Sequence, residues 1–220
     1  MAGARQRRLR RSAGRSGGGR RAPPADLLIA SSWRQSLEFS GRAARPRAAY
    51  VGHHVDLRIG EIRPPDDQLR LGYYGEIFNA RHVKALGRKM KLVRTDTSRA
   101  DDTSWMAELQ TSNAHDAVRA HRPHGGLKPF TKGFVAAHCG GPILVDAGDE
   151  EARHFLPDDD PYVADGASED SVRDVVRRME RESGGPVWHR AFVAIRDLRV
   201  ASAPDLVGRP LYEAIAPSIV

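Results

Sequence analysis

The sequence predicts an α/β fold in which a mainly parallel sheet is flanked by helices. From Leu69 onward, short apolar segments alternate with segments of helical periodicity. This alternation is typical of the strand and helix units that build parallel sheets. The last third of the chain has the strongest helical pattern, with apolar residues at positions i, i+3, i+4 and i+7, namely Val172, Val175, Val176 and Met179. We therefore expect C-terminal helices after the sheet.

The segments upstream of the regular alternation are shorter. Residues 26–32 predict a short buried strand, because four apolar residues lie between polar ones. Residues 50–56 predict a second extended segment. Two prolines and two aspartates disfavour continuous secondary structure in residues 61–68. We place a domain boundary there, with one unit at residues 26–66 and a second at residues 67–220.

The second unit divides into alternating elements. Strands are predicted at residues 69–75, 91–94, 143–145 and 161–164, and residues 114–120 are either a strand or a helix end. Helices are predicted at residues 76–86, 104–109, 134–139, 149–156, 169–182, 188–200 and 206–215. Ser168 precedes the helix at residues 169–182 and is a suitable N-cap.

The formal charge of +7 is concentrated in an N-terminal tail. Residues 1–25 contain 8 arginines and no acidic residue, which leaves 27 basic and 28 acidic side chains in the remainder. This tail contains too few apolar residues to offset chain entropy, so we expect it to be disordered. It fits a nucleic-acid-binding arm, an arginine-rich transit peptide or a non-native leader.

Other features of the composition narrow the class of protein. No apolar run approaches the roughly 18 residues that span a bilayer, so we expect a soluble, cytoplasmic protein. The single cysteine, Cys139, excludes an internal disulfide and a cysteine-based zinc site. The histidines lack HExxH spacing, and Asp158-Asp-Asp160 is typical of a surface turn, so we predict no metal site. Walker and GxGxxG motifs are also missing from the sequence, and its GxSxG match, Gly14 to Gly18, lies in the arginine-rich tail and not between a predicted strand and helix, so no nucleophile elbow is expected.

Two loops are candidates for ligand binding, because parallel sheets bind ligands at the carboxyl ends of their strands. In the first, Gly75 follows a strand and would let backbone amides approach a ligand closely. In the second, Lys128 and Lys132 lie where a helix begins, with Thr131 as a helix cap. Helix N-termini with nearby cations bind anions, so this loop predicts a phosphate-bearing ligand.

The lysine loop is part of a wider pattern. Lys128-Pro-x-Thr-Lys132, the Gly140-Gly-Pro142 break and the strand after it resemble the nucleotide-binding, Rossmann-like C-terminal half of GT-B-fold glycosyltransferases. Further segments are similar to other parts of these proteins, at residues 26–32, 53–56, 70–75, 161–162 and 188–192. The resemblance covers about residues 50–217.

The resemblance implies transfer of a sugar from a nucleotide-diphosphate donor to an acceptor, without a metal or other cofactor. By position, Gly75 would approach the phosphates, and Lys128 and Lys132 would neutralise the leaving diphosphate. Arg119 is a further candidate for the same surface. Many retaining members carry two glutamates near this helix, whereas no Glu occurs between residues 109 and 149. The stereochemical outcome and the catalytic residues are therefore left open.

A complete GT-B enzyme has two halves, and this chain has room for one half and a fragment. We interpret residues 26–66 as a remnant of the first half with its linker, and residues 67–220 as the nucleotide-sugar-binding domain. The acceptor, which is unknown, and any general base would then depend on a truncated half or on a second chain. The alternative hypothesis is a non-enzymatic nucleic-acid-binding protein that acts through residues 1–25.

Overall fold

The structure is a computed structural model that describes residues 26–41, 47–63, 68–79, 82, 86–95, 101–119 and 127–216. The predicted disordered tail at residues 1–25 lies outside the described residues. Within the described ranges, no helix is long and apolar enough to cross a membrane.

The N-terminal unit is a strand, a helix and a second strand. Strand β1 (Leu27–Ala30) leads through the N-cap Ser32 into helix α1 (Trp33–Ser40). Strand β2 (Arg47–Tyr50) then pairs with β1 in parallel. The predicted first strand is confirmed, but its burial is only partial, since Ile29 is 47% exposed.

The second unit is built on a five-stranded sheet in the order β4-β3-β5-β6-β7. All four pairings between these neighbouring strands are parallel, as the sequence predicts. The strands are β3 (Leu71–Gly75), β4 (Met90–Arg94), β5 (Ala114–Asp116), β6 (Ile143–Asp146) and β7 (Val163–Ala164). Because the strands are parallel, their carboxyl ends share one edge of the sheet.

Helices cover both faces of the sheet. Those with described bounds in the second unit are α2 (Ser104–Glu108), α3 (Thr131–Cys139), α4 (Glu150–Phe155), α5 (Glu169–Glu182), α6 (Pro186–Ala201) and α7 (Pro204–Ile215). Residues of β6 alternate between two core clusters, as expected for a strand buried on both faces. Leu144 packs in one cluster with apolar residues of α5, and Ile143 and Val145 pack in the other with apolar residues of α3 and α6.

A buried carboxylate joins the two units. Glu151 of α4 is 1% exposed and accepts hydrogen bonds from the backbone amides of Trp33 (2.8 Å) and Arg34 (3.1 Å). These amides open α1 and have no acceptor within the helix. Beside this contact, the Trp33 ring stacks on His154 with 4.3 Å between ring centroids. The Ser32 hydroxyl donates to the carbonyl oxygen of Leu127, which adjoins Lys128.

Three element predictions need correction or restriction. The second strand occupies Arg47–Tyr50, so the extended segment predicted at residues 50–56 is wrong except for Tyr50. Backbone pairing with β1 fixes this strand, although its sequence has little apolar pattern. The predicted helix at residues 76–86 begins as a 3₁₀ turn at Ile77–Asn79, and much of the remainder lies outside the described residues. Residues 114–120, which the sequence predicts as either a strand or a helix end, contain the strand β5.

Candidate functional site

A small pocket lies where β5 ends and α3 begins. It is lined by Ala117, Arg119, Lys128, Pro129, Phe130, Thr131, Lys132 and Asp149, and has a volume of about 120 Å³. Pockets that bury a whole ligand usually enclose roughly 300 to 1,000 Å³. The pocket therefore suits one part of a ligand, such as a phosphate group.

The charges around the pocket favour an anion. Three cations, Arg119, Lys128 and Lys132, meet one carboxylate, that of Asp149. Arg119 and Asp149 form an ion pair of 3.0 Å, so the two lysines add positive charge that this pair does not balance. The first amides of α3 have no acceptor within the helix, which adds hydrogen-bond donors to the same region.

Lys132 is held on the inner side of the pocket. Its ammonium lies 3.3 Å from the main-chain oxygen of Asp116 and 3.3 Å from the centroid of the Tyr73 ring. Burial lowers the pKa of Lys132 to about 7, while the charge of Asp116 opposes this shift and that of Arg119 reinforces it. Anion binding would favour the charged form, so this lysine is suited to respond to a phosphate.

The other two residues predicted on the loop lie nearer to solvent. Lys128 and Thr131 are both exposed and line the mouth of the pocket. The role of Thr131 as helix cap is wrong, because the N-cap of α3 is Phe130 and no side chain caps the helix. Thr131 is instead the first helical residue.

Gly75 lies at the carboxyl end of β3 but does not line the pocket. Its φ of +155° is one that residues with a side chain rarely adopt. A Cβ there would lie 3.4 Å from the Tyr73 ring, which is ordinary van der Waals contact, so space does not require a glycine. The backbone conformation explains a glycine at the end of β3, and its contact with a phosphate stays a prediction.

Sequence reasoning missed a buried polar cluster beneath Lys132. His82 Nε2 lies 2.6 Å from Asp116 Oδ2, with both side chains at most 2% exposed. The second carboxylate oxygen of Asp116 accepts the Val118 amide at 2.9 Å. The position of Asp116 at the end of a buried strand was a usable signal. The sequence carries no comparable signal for His82, because its contact is made 34 residues away.

No cluster of three or more His, Cys, Asp or Glu side chains that could hold a metal occurs in the part of the chain that the structure describes. Asp160, the last residue of the acidic turn, is buried and does not belong to such a cluster. Its carboxylate accepts the Tyr162 amide at 3.0 Å. Burial raises the pKa of Asp160 to about 6.

No protein-family model and no curated protein matches the sequence. Solved structures do match. They include sucrose-phosphate synthase from Thermosynechococcus elongatus, with a TM-score of 0.58 and 11% identity over 88% of this chain and 59% of that one. HepE from Anabaena, in complex with UDP, gives a TM-score of 0.59 and 12% identity over 89% of this chain and 64% of HepE. A glycosyltransferase from Rickettsia africae gives 0.60 and 8% identity over 86% and 62%.

These structures are GT-B glycosyltransferases, and HepE has also been solved with UDP-glucose. The present chain spans about three fifths of the length of the structures it matches. At such low identity the likeness establishes the fold alone. The resemblance seen in the sequence is thus confirmed at the level of architecture: the chain has a GT-B glycosyltransferase fold over the part it shares with these structures.

Proposed function

We propose that this protein binds a nucleotide-diphosphate sugar and takes part in transfer of the glycosyl group to an acceptor. The observation that carries the proposal is the meeting of Arg119, Lys128 and Lys132 in one pocket at the start of α3. The pocket lies at the carboxyl edge of a parallel sheet, where folds of this kind bind ligands. HepE, which shares the fold, binds UDP and UDP-glucose, so a uridine diphosphate sugar is the first donor to test.

In this proposal the diphosphate occupies the pocket and the nucleoside extends beyond it. Lys128 at the mouth and Lys132 on the inner side would contact the phosphates, and the Thr131 hydroxyl and the first amides of α3 would add neutral donors. Gly75 ends the neighbouring strand β3, and because it has no side chain it would let the phosphates approach the backbone there. Arg119 would contribute charge while it remains paired with Asp149.

The same groups would assist the reaction itself. Negative charge develops on the diphosphate as the bond to the sugar breaks, and fixed cations and amides stabilise such charge. This arrangement would supply the stabilisation that a metal ion gives in other transferases, so we propose a metal-independent reaction. The acceptor site and any general base would come from further sequence or from a second polypeptide that completes the enzyme.

Calorimetric titration with UDP-glucose tests the proposal. At pH 7.5 we expect the wild-type protein to bind, and the double variant Lys128→Ala/Lys132→Ala to bind roughly a hundredfold more weakly, since it loses two charge-assisted contacts that each contribute roughly 1.5 to 3 kcal/mol. Lys89→Ala is the matched control, because Lys89 lies at the opposite, amino end of the sheet and pairs with Glu180. Absence of binding by the wild type, or equal affinity of the double variant, would reject the site.

A further inference from the structure

The buried pair of His82 and Asp116 has no evident part in ligand contact, since neither side chain lines the pocket. Both are nearly inaccessible, and at 2.6 Å the His82 Nε2–H group donates a hydrogen bond to the Asp116 carboxylate. Burying a carboxylate is costly unless strong hydrogen bonds satisfy it. A satisfied pair of this kind holds both side chains in place, and it lies next to the candidate site.

The contacts of Asp116 connect this pair with the pocket. Asp116 is the last residue of β5, and beyond it the chain leaves the sheet toward Arg119. Each carboxylate oxygen accepts one donor, Oδ2 from His82 and Oδ1 from the Val118 amide. These two bonds fix the turn at the end of the strand. The main-chain oxygen at this turn accepts a hydrogen bond from the Lys132 ammonium.

We propose that His82 is a positioning residue of the phosphate site: by bonding the Asp116 carboxylate, it fixes the main-chain oxygen that holds the Lys132 ammonium at the inner side of the pocket. The proposal rests on the proposed function for its effect on ligand affinity. Its structural part, the placement of Lys132, concerns the ligand-free protein and can be tested separately.

The surroundings of Lys132 agree with this role. Tyr73 on β3 faces the ammonium with its ring and meets the His82 ring edge-on, at 6.4 Å between centroids. Asp116 and His115 approach from β5, and the charges of Arg119, Lys128 and Asp149 surround the pocket. The hydrogen bond from His82 comes from a residue 34 positions away from Asp116 in the sequence. Its loss would free Asp116 to turn toward Lys132 as an alternative partner.

Affinity for UDP-glucose should weaken about fivefold in His82→Phe, which keeps a ring but loses the donor. His82→Asn, whose amide is too short to reach the carboxylate, should show the same loss. His82→Gln places an amide nitrogen near the position of Nε2, and we expect it to bind within twofold of the wild type. In a Lys132→Ala background, His82→Phe should change affinity by less than twofold, because the group that it positions is gone.

A second measurement does not depend on the ligand. NMR titration of the Lys132 amine, labelled by ¹³C reductive methylation in the ligand-free protein, should give a clearly higher pKa in His82→Asn than in the wild type and in His82→Gln. An unchanged Lys132 titration, or an equal loss of affinity in the Lys132→Ala background, would overturn the positioning role. If the wild type bound no UDP-glucose, the proposed function would fail, whereas the titration would still decide the role of His82.

Discussion

Replacing Glu151 with alanine is expected to lower the free energy of unfolding by about 3 kcal/mol. The Glu151 carboxylate is 1% exposed and accepts the first two amides of α1, those of Trp33 and Arg34. Alanine removes both bonds and leaves two half-buried donors without this partner, each of which costs roughly 1 to 3 kcal/mol. It also removes a negative charge from the N-terminus of α1, where the helix dipole stabilises it.

Urea denaturation of the full chain measures this effect. Glu150→Ala is a close control, since Glu150 is the preceding residue and forms an exposed ion pair of 2.7 Å with Arg34. Exposed pairs contribute about 0.5 kcal/mol, so this variant should unfold almost as the wild type does. Glu151→Gln keeps an acceptor and should fall between the two. If Glu151→Ala and Glu150→Ala were equally stable, the carboxylate would not be what joins α1 to the second unit.

Most of the fold could be predicted because its signals are local. The helix Glu169–Glu182 has the predicted bounds, and its N-cap Ser168 accepts the Ser171 amide as expected. Its apolar stripe is needed to pack on the sheet, so the pattern and the structure have the same cause. The strands β3, β4 and β6 were likewise visible as short apolar segments that end in glycine or a polar residue.

The errors occur where partners distant in sequence decide the structure. Strand β2 is Arg-Ala-Ala-Tyr, and pairing with β1 rather than apolar content makes it a strand. Thr131 was a reasonable cap by residue type. However, α3 starts at Thr131 itself, with the N-cap Phe130 buried between Phe134 and Phe155. Packing of these rings sets the start of the helix.

The candidate site could be predicted in part for the same reason. Lys128 and Lys132 belong to one loop, and Arg119 follows the preceding strand, so chain order alone brought them to one edge of the sheet. The inward direction of Lys132 depends on Tyr73, which is 59 residues away in sequence. No local pattern could indicate that this lysine, unlike Lys128, would be desolvated.

The different settings of the two lysines lead to a prediction about pH. Affinity for UDP-glucose is expected to fall about fifteenfold between pH 6 and pH 8.5. Burial lowers the pKa of Lys132 to about 7 in the free protein. A bound diphosphate favours the charged ammonium and so raises this pKa, which means that binding takes up a proton. Affinity is therefore greatest below the free-state pKa and declines as the pH rises through it.

The size of the effect follows from the strength of the contact. A charge-assisted contact of about 2 kcal/mol corresponds to roughly thirtyfold in affinity, which places the pKa of Lys132 in the complex about 1.5 units above that of the free protein. The decline should then lie between about pH 7 and pH 8.5. UDP-glucose suits this measurement because its diphosphate is esterified at both ends and keeps its charge throughout this range.

Two variants separate Lys132 from the other groups around the pocket. Lys132→Arg remains charged over the whole range, and its affinity should vary less than threefold with pH. Lys132→Met carries no charge and should bind at all pH values about as weakly as the wild type does at the alkaline end. Calorimetry in buffers of different ionisation enthalpy should also detect proton uptake in the wild type near pH 7.5 and none in either variant. A fifteenfold decline that persists in Lys132→Arg would assign the titration to a group other than Lys132.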